Sequence, residues 1–121
     1  MTLPKSRDEQ VEWLHRLAEL SLDQASGWAE LSRDLMHFVQ WHLPGLTAPE
    51  PTSPEELLQV ASQLRENERS WNRALMLAVT TADEQSRQES RSVARNHLHE
   101  FAASCPWRLF KEVAENQACN Y

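Results

Sequence analysis

With 121 residues, 40% hydrophobic and 25% charged, the chain has the size and make-up of one globular domain over residues 1–121. A net charge of −6 argues against nucleic acid as a partner, because phosphate backbones are gripped by a concentrated positive surface. No apolar run nears the ~20 residues of a membrane helix, and MTLPKSRDEQ lacks the apolar stretch of a signal peptide, so the sequence points to a cytoplasmic protein with no membrane partner.

Two glycines are too few for a sheet with tight hairpins, and no segment alternates apolar with polar residues. The fold class expected is all-α, a compact bundle of four or five helices. Charge is unevenly placed. Residues 1–60 hold four basic and ten acidic side chains, whereas residues 61–121 hold eight of each. This asymmetry suits pairing between halves or between subunits.

In chain order, Ser6-Arg7-Asp8-Glu9 reads as a capping box opening a first helix over 7–21. Its apolar residues Val11, Trp13, Leu14, Leu17, Ala18 and Leu20 cover about half the circumference, more than one packing contact uses. The segment SLDQASG breaks the helix, with Ser21, Asp23 and Ser26 as candidate caps, a single kinked helix being the alternative. A second helix with the stripe Trp28, Leu31, Leu35, Phe38, Val39 and His42 then runs to Leu43 and stops at Pro44-Gly45. Four of the six prolines fall in the loop 44–54.

Ser53-Pro54-Glu55-Glu56 combines a capping serine, a first-position proline and a glutamate at the third position. The third helix is expected to run from there to Thr80, with ALMLAV at its deeply buried end. Its stripe and that of Ala94, His97, Leu98, Phe101 and Cys105 point about 120° apart at 100° per residue, so a break must lie between them. Thr81-Ala82-Asp83-Glu84 offers one. The polar run DEQSRQESRS thus becomes the exposed, projecting start of a fourth helix over 82–104. A fifth helix begins at Pro106, with Trp107, Phe110, Val113 and Ala114 inward.

Arg87, Arg91 and Arg95 repeat at four-residue spacing, where like charges repel unless an acidic surface answers them. A solvated helix face is the competing reading. Trp41 lies opposite its helix's core stripe, beside Glu30, Asp34 and His37, as an interface anchor would; packing under the proline-rich loop is the alternative. Trp13 sits at the edge of the first helix's broad arc and joins the partner-binding candidates.

Glu12-Trp13-Leu14-His15 has the spacing of carboxylate-bridged iron bundles, and Asp34 to His37 nearly repeats it. Both pairs lie on polar arcs, so neither a metal nor any cofactor is expected. His42 and His97 read as hydrogen-bonded core histidines. There is no phosphate-cradling glycine loop and no Gly-x-Ser-x-Gly elbow, so the chain is not expected to be an enzyme. Cys105 and Cys119 read as reduced thiols.

The expectation is a protein–protein interaction module, a regulator, inhibitor or adaptor that occludes a partner protein as a homodimer or hetero-complex. Trp13, Trp41, Arg87, Arg91 and Arg95 would bind the partner. The alternatives are a bundle that holds an apolar small molecule among Trp28, Trp71, His97 and Phe101, and a metal-binding bundle.

Overall fold

In the computed structural model, which describes residues 1–121, the regular elements are α1 (Arg7–Ala18), a 3₁₀ turn (Leu22–Gln24), α2 (Trp28–His42), α3 (Pro54–Gln88), α4 (Arg91–Ser104) and α5 (Arg108–Ala118). The chain is all-α with five α-helices, as expected. It divides into two compact units, Met1–Asn67 and Glu68–Tyr121, and the residues of α3 are divided between them.

In the first unit, α1 buries Gln10, Trp13, Leu14 and Leu17, an i, i+3, i+4, i+7 stripe. Val11, Ala18 and Leu20 are only half-buried at its margins. Ser6 is extended and caps with its carbonyl, which accepts from the Gln10 amide; its hydroxyl makes no capping bond. The helix stops at Ala18 rather than at residue 21. In the 3₁₀ turn that follows, the Ser21 amide donates to Gln24 Oε1 at 3.0 Å.

Gly27 stands at the N-cap of α2 with φ 73°, in the left-handed region that side chains with a Cβ avoid. From there α2 buries Leu31, Ser32, Leu35, Phe38, Val39 and His42. Trp13 and Phe38 meet with ring centroids 6.3 Å apart, and Phe38 stacks on His42 at 4.1 Å. Fully buried side chains of this size each stabilise the fold by about 1.5–3 kcal/mol.

At the start of α3, Ser53 Oγ accepts from the Glu56 amide at 3.1 Å. Glu56 Oε2 reaches back one residue further than a simple capping box, to the Thr52 amide and hydroxyl, both at 2.7 Å. These two donors favour the ionised form and hold the Glu56 carboxyl below its ordinary range.

The second unit departs from expectation at the polar run. α3 does not end at Thr80 but continues to Gln88, and Thr81-Ala82-Asp83-Glu84 passes through as ordinary helix. The reason is Ala82, which is fully buried in the core beside Ala78. The break falls at Glu89-Ser90. Ser90 is extended, and its Oγ accepts from the Val93 amide at 3.2 Å. Asp83–Gln88 therefore close α3, while α4 has an exposed start, but at Arg91.

This unit is packed around small residues. Ala78, Ala82, Ala94, Leu98 and Ala118 form one buried cluster, and Leu75, Ala102 and Ala114 another, with Val79 and Phe101 packed against both. Leu75, Ala78, Val79 and Ala82 lie within about 100° of arc on α3. Met76 and Leu77 fall outside it, 61% and 68% exposed. ALMLAV is thus half core and half surface, not a deeply buried end. Val113, expected to face inward, is exposed on α5, and Trp107 is buried as expected.

Candidate functional site

Of the sequence-derived surface residues, Trp13 and Trp41 lie in the first unit and Arg87, Arg91 and Arg95 in the second. Trp13 is 1% exposed and belongs to the core of the first unit, because it falls within the buried stripe of α1 rather than on a spare arc. Trp41 is half-buried. The guanidinium of Arg7 lies 4.2 Å above its ring, and its edge meets His42 at 4.9 Å.

Arg87, Arg91 and Arg95 do not form one helical stripe, since the break at Glu89-Ser90 separates the first from the others. Arg87 pairs with Asp83 one turn back, an ion pair exposed to solvent and correspondingly weak. Arg95 donates to the Tyr121 main-chain oxygen at 3.3 Å and to Ser92 Oγ at 3.5 Å. Arg91 is exposed at the first turn of α4.

The feature that sequence reasoning missed is on α3 and α4. A groove of about 330 Å³ is lined by Ala74, Leu77, Ala78 and Thr81 on one side, and by His97, Glu100, Phe101 and Ser104 on the other. Ala74 and Ala78 contribute only small side chains to its lining, and exposed Leu77 stands beside them. His97, read from its stripe as a core residue, is half-buried and lines this groove. Phe101, one of its lining residues, meets Trp71 edge to face with ring centroids 5.9 Å apart. The signal was present in the sequence. Six consecutive apolar residues on a helix cover more than its full circumference, and a core on one side leaves the other side bare.

The first unit has a larger depression of about 540 Å³, whose walls include Glu30, Arg33, Asp34 and His37 from the outer face of α2. Asp34 is engaged there, accepting from the Leu3 amide at 3.4 Å. No group of three or more His, Cys, Asp and Glu side chains converges as metal ligation requires. His42 is fully buried, its Nε2 2.9 Å from Gln10 Oε1, as a hydrogen-bonded core histidine should be. Gln10 in turn donates to the Pro4 carbonyl at 2.8 Å.

Cys105 is buried with its thiol directed at the Trp107 carbonyl, 3.8 Å away, and burial raises its pKa; Cys119 is exposed, and both are free. A buried thiol of raised pKa is poorly suited to nucleophilic work. No helix is long and apolar enough to cross a membrane. Set against known protein families, curated proteins and solved structures, the chain matches none.

Proposed function

We propose that the protein is an interaction module whose docking face is the exposed side of α3 with the groove between α3 and α4. The observation that carries this reading is the exposure of Met76 and Leu77 beside an open groove lined in part by alanine. Large side chains left two-thirds bare on a regular helix are a cost in water, and covering them stabilises a complex. Leu77 is the anchor; Phe101 and the small lining residues shape what it packs with; His97 and Glu100 give the groove its polar contacts. A regulator, inhibitor or adaptor working here acts by covering the partner's own surface.

A photo-cross-linking residue placed at position 77 in the native cell tests this, with the same residue at exposed Glu115 on α5 as control. Adducts formed from position 77 and absent from position 115 support the docking face. Adducts from neither position, or equally from both, overturn it.

A further inference from the structure

We infer that the occupant of this face is a second copy of the chain, with the two α3 helices packed antiparallel about Leu77. The inference rests on the docking role proposed for the same face. Its basis is the pattern of charge around Leu77. At 100° per residue, Arg73 and Glu84 lie within about 40° of Leu77, on the side of α3 opposite Leu75, Ala78 and Ala82. All three side chains are exposed. Neither Arg73 nor Glu84 makes a hydrogen bond or ion pair within the chain, in contrast to Arg87 with Asp83.

A face with a cation on one side of its apolar anchor and an anion on the other complements itself in one orientation only. When two such helices run antiparallel, with the two-fold axis midway between Arg73 and Glu84, each Arg73 meets the Glu84 of the other copy. Both pairs form at once, as an isologous interface demands. The same axis brings the two Leu77 side chains within about one helical turn of each other, at 1.5 Å of rise per residue. A parallel arrangement in register would set Arg73 against Arg73 and Glu84 against Glu84.

The electrostatics of the unit agree. Residues 68–121 carry seven basic and seven acidic side chains, so this unit offers no net repulsion to a copy of itself, whereas residues 1–67 hold five basic and eleven acidic.

Charge reversal on the full-length protein, followed by sedimentation velocity across a concentration series, tests the arrangement. The wild type is expected to show a concentration-dependent dimer. Arg73→Glu alone and Glu84→Arg alone each replace two attractive pairs with two repulsive ones, and should each raise the dimer Kd roughly tenfold or more. An equimolar mixture of the two variants, and the double variant Arg73→Glu/Glu84→Arg, should both recover dimerisation to within about threefold of wild type. Leu77→Glu should abolish it, by roughly a hundredfold or more in Kd. Both charge positions are exposed and make no bonds within the chain, so circular dichroism melts of the variants should overlay the wild type.

A wild type that stays monomeric at several hundred micromolar overturns the inference. So does a dimer indifferent to the reversals, or one that the mixture fails to restore. The docking reading is judged separately by the adducts from position 77. Adducts to other proteins, with a monomeric wild type, leave the docking face standing and remove only the self-pairing. Adducts of twice the chain mass support both.

Discussion

Arg7 covers the face of Trp41: its guanidinium carbon is 4.2 Å from the ring centroid, joining the first turn of α1 to the last turn of α2. Cation–π contacts at partly exposed sites stabilise by about 0.5–1 kcal/mol. Arg7→Ala should therefore lower stability to chemical denaturation by roughly that amount and shift Trp41 emission to the red. A cycle with Trp41→Phe separates the contact from other effects. An emission spectrum unchanged by Arg7→Ala would show that the pair does not persist in solution.

Gln10 and Ser32 are both buried in the first unit, with opposite consequences. Gln10 joins the half-buried Pro4 carbonyl to the buried His42 ring, so Gln10→Ala leaves both without this partner. That substitution should destabilise by about 1–3 kcal/mol. Ser32 is also buried, yet its hydroxyl has no hydrogen-bond partner. Ser32→Ala removes an unsatisfied group and should leave stability unchanged or raise it. Urea titrations of the two variants decide the matter, and a large loss for Ser32→Ala would point to an ordered water on that hydroxyl.

Glu56 makes the start of α3 sensitive to acid. Its carboxyl is held below the ordinary range by the Thr52 hydroxyl and amide. A depressed carboxylate contributes stability that is present above its unfolded pKa and lost as pH falls through its folded value. Glu56→Gln should thus melt lower than wild type near neutral pH, and the two curves should converge in acid below the usual carboxylate range. Melts separated by a constant interval at every pH would assign the effect to something other than the charge.

The alanine-lined core should resist enlargement. Ala94 and Ala114 are fully buried in the second unit. Ala94→Leu adds three carbons where α3, α4 and α5 residues already touch, and overpacking of this kind costs about 1–3 kcal/mol. Exposed Ala103→Leu on the same helix is the control and should be near neutral. Thermal melts suffice, and equal melting temperatures for the two variants would mean the core has slack.

Helix phases were legible in the sequence where local chemistry and packing agree. The start of α3 at Pro54, the end of α2 before Pro44-Gly45 and the burial of His42 all follow from caps and stripes read directly, but the N-cap of α2 is Gly27 and none of the candidates Ser21, Asp23 and Ser26. The mismatch in phase between the stripes of α3 and α4 correctly demanded a break, but not its position. The capping pattern at Thr81 drew the break to the wrong place: Ala82 is buried within α3, and the cap proves to be Ser90. Trp13 was misplaced for a related reason: periodicity says which residues share a face, not how much of that face a neighbour covers. Leu77 escaped notice because a run apolar on every side looks like a buried segment until its neighbours are known.

The alanine packing also bears on how the two units respond to heat. Alanine buries little apolar surface and has no side-chain rotamers to freeze, so each gains little on folding and loses little. The rise in heat capacity on unfolding scales with the apolar surface exposed. The second unit should accordingly have a flatter stability curve than the first, where Trp13, Leu14, Leu17, Leu35 and Phe38 are fully buried. Cooling past the stability maximum would then weaken the first unit before the second, even where warming treats the two alike.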